Sequence, residues 1–141
     1  MIFNLTQHPA TLEQLAADVF DPTPEQRAEI VQLLTFDELP SRSEIADRAY
    51  QLAMIAYAAL HARHASLSTE QQEVESRLGT GRCAMIGGAP YLMAPLQEAL
   101  ADESIMPVYA FSTRESVEET QPDGSVRKTA VFRHKGFVPA L

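Results

Sequence analysis

Two glycines, Gly87 and Gly88, follow the apolar run Cys83-Ala84-Met85-Ile86 and stand just before Pro90. Without a Cβ they let the backbone turn sharply and bring its N–H groups close to a ligand. Pro90 suits the first turn of a following helix, where its missing N–H costs little. A strand-to-helix turn of this kind at the carboxyl end of a sheet suits an anion, although a plain tight connection uses the same residues. Thr6, Gln7 and His8 follow another apolar run, residues 2–5. Imidazoles titrate near neutrality, so His8 is the candidate general acid or base; a loop histidine bonding backbone carbonyls is the competing reading. A third group, Ser112, Thr113 and Arg114, follows the apolar run 105–111, and Arg114 can grip a phosphate with two hydrogen bonds.

Brought to one rim of a sheet, Thr6, Gln7, His8, Thr11, Gly87, Gly88, Ser112, Thr113 and Arg114 would line a polar hollow fit for a nucleotide or phosphate ester. Familiar catalytic motifs are missing: no Walker lysine loop, no Gly-x-Gly-x-x-Gly, no Gly-x-Ser-x-Gly and no His-Glu-x-x-His. His61 and His64 have the spacing of a metal pair without further ligands, so imidazoles placed favourably at a helix C-terminus are the better account, and no metal or cofactor is expected. His134, between Arg133 and Lys135, reads as an anion contact or as the end of a hairpin.

The elements that must position these residues follow from local signals. Residues 2–5 read as a strand; Thr11-Leu12-Glu13-Gln14 is a capping box opening a helix to about Val19. Thr23-Pro24-Glu25-Gln26 opens a second helix, and residues 33–36 either end it or form a short strand. Ser41-Arg42-Ser43-Glu44 starts the longest helix, with Ile45, Ala49, Leu52, Ala56 and Leu60 on one stripe. Tyr50, Met54 and Tyr57 widen that stripe and are expected in the core, against a sheet and a partner subunit. A short helix from about residue 68, stopped by Gly79, precedes the strand 83–86. A helix over 90–102 follows, with Pro95 predicting a kink or a later start. Strands over 105–111, 117–120 and 126–132 close the chain, the last two joined by the turn Gln121-Pro122-Asp123-Gly124. The order predicts an α/β Rossmann-like, mostly parallel sheet with flanking helices and a C-terminal antiparallel β-hairpin, in one domain over 1–141.

At 141 residues the chain supports one core. Its net charge of −8 argues against general nucleic-acid binding. Arg127, Lys128, Arg133 and Lys135 nevertheless cluster, which leaves room for a local anion site. The single cysteine, Cys83, permits no intrachain disulfide. With no signal segment and no apolar run long enough to span a bilayer, a cytoplasmic protein with no membrane partner is expected.

Several segments in matching order resemble small CRISPR-associated proteins of the CARF type. They are residues 6–14 (Thr6-Gln7-His8-Pro9-Ala10-Thr11-Leu12-Glu13-Gln14), Leu39-Pro40 ahead of a long helix, Val108-Tyr109-Ala110, the Asp123-Gly124 hairpin and Val131-Phe132-Arg133-His134. The likeness spreads over most of the chain and rests on no single motif; Gly87-Gly88-Ala89 and residues 65–81 do not match it. The resemblance implies a Rossmann fold and a homodimer that binds a cyclic oligoadenylate across its two-fold axis. Some stand-alone members are ring nucleases, metal-independent phosphodiesterases that align a ribose 2′-hydroxyl with the neighbouring phosphate. Carried over, Thr6, His8 and Thr11 match the loop after the first strand, His8 and Thr6 being the catalytic pair, and Arg114 matches the end of the last strand. The acidic net charge counts against this. A non-catalytic dimeric interaction protein, or an enzyme acting on another nucleotide or sugar phosphate, remains open.

Overall fold

The computed structural model describes residues 1–78 and 81–141. The elements run β1 (Ile2–Asn4), α1 (Leu12–Ala16), β2 (Val19–Phe20), α2 (Pro24–Leu34), α3 (Arg42–Ala65), α4 (Thr69–Leu78), β3 (Cys83–Met85), α5 (Pro90–Asp102), β4 (Met106–Thr120) and β5 (Val126–Pro139). They build a mixed α/β unit around one five-stranded sheet of order β2-β1-β3-β4-β5. The first four strands in that order are mutually parallel; β4 and β5 are antiparallel.

Local chemistry accounts for the helix starts. Thr11 with Gln14, and Thr23 with Gln26, form complete capping boxes, each side chain bonding the other residue's backbone N–H. At α3 only half of the expected box forms. Ser41 accepts from the Glu44 N–H, but the Glu44 carboxylate turns to Arg48 at 2.9 Å. Ser68 and Gln71 cap α4 in the same reciprocal way. The expected stop at Gly79 lies outside the described residues.

The alternating strand residues divide the core between the two faces of the sheet. On one face Phe3, Ala84 and Ile86 pack with Ile30, Leu34, Leu52, Leu60, Leu92 and Leu96 from α2, α3 and α5. On the other face Val19, Met85 and Val108 form a small cluster bordered by Ile2, Ala10, Cys83 and Phe137.

Two expectations are corrected and two open alternatives are decided. The first helix stops at Ala16, and Val19–Phe20 is a strand, because Ile2 and Phe3 offer those residues a parallel edge. Residues 33–34 end α2 and are not a strand; their side chains are needed in the core. α5 starts at Pro90 and carries Pro95 within it. Tyr50 (57% exposed) and Tyr57 (40%) face out, since Leu52, Ala53, Ala56 and Leu60 already fill the buried side of α3.

Cys83 opens β3, and burial pushes its thiol above the ordinary range, the Met1 amino group pulling back more weakly. Thiolate is the reactive form. Alkylation by iodoacetamide at pH 8 is therefore expected to run several-fold slower than for an unhindered cysteine peptide; equal rates would contradict that burial.

Candidate functional site

A cleft of about 450 Å³ opens beyond the carboxyl ends of β1 and β3. The loop after β1 supplies Thr6, Gln7, His8 and Pro9; Thr11 and Gln14 come from the start of α1. Met85, Ile86, Gly87 and Gly88 form the opposite edge, and Tyr109 and Ala110 of β4 complete it. Among the described residues lining it there is no Asp, Glu, Lys or Arg. Hydroxyls, amides, backbone N–H groups and one imidazole are what it offers a ligand.

The loop after β1 is shaped from beneath by Asn4, among the described residues the one polar side chain that is fully buried. Its amide nitrogen donates to the His8 carbonyl at 2.7 Å and to Asp21 at 2.8 Å. Its carbonyl oxygen accepts from the Thr6 N–H at 3.0 Å and the Thr6 hydroxyl at 2.6 Å. Asp21 in turn accepts from the Ala10 N–H and pairs with Arg27, which also donates to the Gln7 carbonyl. The Thr6 and Ala10 N–H groups and the Gln7 and His8 carbonyls of this tight loop thus find partners within the protein, and the imidazole of His8 is left outward, exposed at the cleft.

The glycine edge has its own geometry. Gly88 has φ +147°, a conformation that side chains disfavour, whereas a Cβ on Gly87 would make only an ordinary contact with Thr6, at 3.8 Å. Immediately beyond, α5 begins with Ala89 at its N-cap and no side-chain cap for its first-turn N–H groups.

Six of the nine site residues expected from sequence meet here: Thr6, Gln7, His8, Thr11, Gly87 and Gly88. Two of them are chemically constrained. The Thr6 hydroxyl proton is directed to Asn4, so toward a ligand that oxygen can only accept. Thr11 Oγ1 accepts the Gln14 N–H, which leaves its own proton to donate. Ser112, Thr113 and Arg114 do not line the cleft. The strand expected to end at residue 111 continues to Thr120, because β5 pairs with it from Val126 to Pro139, and this carries the three residues onto a projecting hairpin. The hairpin turn forms as expected, with Gly124 at φ +86° and Ser125 bonding Asp123, whose carboxyl it holds below the usual range.

His61 and His64, outside the cleft, have local partners. His64 Nδ1 lies 3.2 Å from Glu75, and His61 stacks on Tyr57. His134 does not end the hairpin. It lies within β5 against Phe137; its backbone N–H donates to the Glu13 carboxylate, while its buried Nδ1 meets no hydrogen-bond partner among the described residues.

Sequence reasoning missed Gln14, Tyr109 and the Asn4–Asp21–Arg27 support. Gln14 was legible only as a cap residue, and Asn4 was hidden inside an apolar run.

Residues 1–138 match the model of the uncharacterized protein MJ1673 family, a span that takes in the cleft and the whole hairpin. The chain belongs to that family. No curated protein and no solved structure matches it. What MJ1673-family membership fixes is kinship over nearly the whole chain, and the cleft's chemistry has to be argued from its own residues.

Proposed function

We propose that this protein binds a small nucleotide second messenger of the cyclic oligoadenylate class, as a Rossmann-like homodimer, and cleaves it with His8. One observation carries the reading. The cleft lies where the sheet order changes direction, between β1, whose following strand lies to one side, and β3, whose following strand lies to the other. Crevices outside the carboxyl ends of strands at such a point are the usual ligand sites of open α/β sheets.

The lining chemistry supports a nucleotide. Glycine N–H groups and the uncapped start of α5 suit phosphate oxygens, and Thr11, Gln7 and Gln14 suit ribose and base edges. At about 450 Å³ the cleft is at the small end of ligand sites. A ring of several nucleotides overfills it, which favours sharing between two protomers. The chemistry needs no partner beyond the ring itself: the 2′-hydroxyl oxygen attacks the adjacent phosphorus and the bond to O5′ breaks. A 2′,3′-cyclic phosphate and a 5′-hydroxyl result. Neutral His8 takes the 2′ proton, and the protonated ring returns one to O5′.

Incubation with labelled cyclic oligoadenylates of several ring sizes tests both halves. Wild type is expected to bind at least one and linearise it; His8→Ala keeps the binding and loses ~10²-fold or more in rate. Absence of any binding removes the proposal, and cleavage undiminished in His8→Ala removes His8 from it. Binding without cleavage in the wild type would leave a sensor.

A further inference from the structure

α1 forms one wall of the cleft, through Thr11 at its cap and Gln14 in its first turn. Their reciprocal bonds decide what the two side chains can offer. The Gln14 carbonyl oxygen accepts the Thr11 N–H at 3.0 Å, so the amide NH2 is the end left for a ligand. The Thr11 hydroxyl oxygen accepts the Gln14 N–H at 3.1 Å and keeps its proton to donate. This wall therefore presents hydrogen-bond donors, provided that α1 keeps Gln14 turned to the cleft. A capping box is internal to its helix and does not fix how the helix sits on the rest of the molecule.

Burial does not fix it either. No residue from Leu12 to Ala16 is buried, none belongs to a core cluster, and Leu12 is 84% exposed. Both approaches to α1 are tied down: the Ala10 N–H donates to Asp21, and the Asp18 carbonyl accepts the Ile2 N–H at 3.0 Å. A short helix tied at its two ends keeps one easy motion, a roll about its own axis. Successive residues lie ~100° apart around that axis, so a modest roll carries Gln14 out of the cleft. Among the described residues, one hydrogen bond runs from α1 to another element. Glu13, the neighbour of Gln14, accepts the His134 backbone N–H at 3.1 Å, 121 positions away in the chain. That anchor is itself well held. β5 is the sheet edge, and at the bulge opposite Phe111/Ser112 Lys135 has no partner on β4; bulges re-aim an edge beside a site. The His134 ring packs 4.8 Å from that of Phe137, which borders the core cluster on this face.

We propose that Glu13 is a positioning residue of the cleft: its bond to the bulged edge of β5 sets the roll of α1 and holds Gln14, with Thr11, toward the ligand. Glu13 itself touches no ligand. Its charge alone would work the other way, because a carboxylate beside the cleft repels an anionic nucleotide. Loss of the hold and loss of the charge therefore move affinity in opposite directions. The effect on affinity rests on the cleft being the nucleotide site, whereas the hold on α1 is measurable without ligand.

Glu13→Ala and Glu13→Gln in the full chain test it. Glu13 is exposed, so both variants are expected to fold and to melt within ~2 °C of wild type. Without ligand, amide hydrogen exchange over residues 15–18 is expected to run about fivefold faster in Glu13→Ala, the effect of one lost hydrogen bond on local opening. Glu13→Gln should exchange at nearly the wild-type rate, because its amide oxygen accepts the same N–H. With the labelled cyclic oligoadenylate that wild type binds best, Glu13→Ala is expected to bind about fivefold more weakly and Glu13→Gln within about twofold of wild type. Exchange in Glu13→Ala equal to wild type overturns the proposal whether or not nucleotide binds. Faster exchange with unchanged affinity also overturns it. So does tighter binding by both variants alike, which is what a nearby repulsive charge alone would produce. Failure of wild type to bind any of the nucleotides removes the ligand instead, and the exchange rates then decide whether Glu13 holds α1.

Discussion

Replacing Asn4 by Ala is expected to cost about 3 kcal/mol of folding stability and to lower the melting temperature by roughly 10 °C. The side chain is fully buried and joins four groups: the Thr6 N–H and hydroxyl, the His8 carbonyl and the Asp21 carboxylate. Truncation leaves several of them without a partner where water has little access, and that desolvation cost exceeds the value of the bonds themselves. The loop loses the groups that hold the His8 and Thr6 backbone inward, so the effect extends to the cleft. Asn4→Asp should be worse still at neutral pH, since it sets two carboxylates at the distance now held by an amide donor and its acceptor. Its deficit should shrink as acid supplies a proton for the pair to share. Thermal melts of both variants from pH 4 to 8 check this. A melting temperature within two or three degrees of wild type for Asn4→Ala would show that the network is incidental.

Gly88→Ala and Gly87→Ala, one residue apart, are expected to separate stability from binding. At Gly88 the backbone stands at φ +147°, a region left almost wholly to glycine, and alanine there should cost ~2–3 kcal/mol. Space is not the obstacle: the added Cβ would sit 3.5 Å from Met93 and 3.6 Å from Leu34, ordinary distances. Gly87 has no such strain, and its Cβ would meet only the Thr6 methyl at 3.8 Å. Gly87→Ala should therefore fold within ~0.5 kcal/mol of wild type while placing a methyl at the cleft edge. Denaturant unfolding paired with nucleotide titration resolves the two. Equal stability losses at both positions would refute the conformational argument.

The elements that the sequence made legible were those fixed by neighbours in the chain. The Thr11–Gln14 and Thr23–Gln26 boxes, the stripe of α3, and β1 and β3 to within a residue all follow from short-range spacing. What escaped depends on distant partners. Val19 and Phe20 form a strand only because β1 lies beside them, and two residues carry no periodicity. β4 runs through Arg114, Glu115, Glu118 and Glu119, a stretch with little apolar alternation, and is held as a strand by β5. Reading it as ending at residue 111 is what brought Ser112, Thr113 and Arg114 into the expected site. The cleft's two main edges were legible because each directly follows an apolar run that ends in turn-forming residues. Its support was not: Asn4 meets Asp21 and Arg27 only after the chain has folded. The outward turn of Tyr50 and Tyr57 was equally hidden, because a wide apolar stripe does not say which of its margins the neighbouring helices leave bare.

The register Ile2↔Cys83 has a consequence for the order in which the molecule comes together. The two strands whose tips frame the cleft are the first and the third of the chain, with four helices between them. Closing so long an intervening stretch is entropically costly before any contact rewards it. The β4–β5 hairpin, by contrast, zips from a local turn. During synthesis no segment short of Gly88 contains both edges of the cleft. The cleft is therefore completed only when β3 reaches β1, and a ligand held across it would brace a junction between strands far apart in the chain.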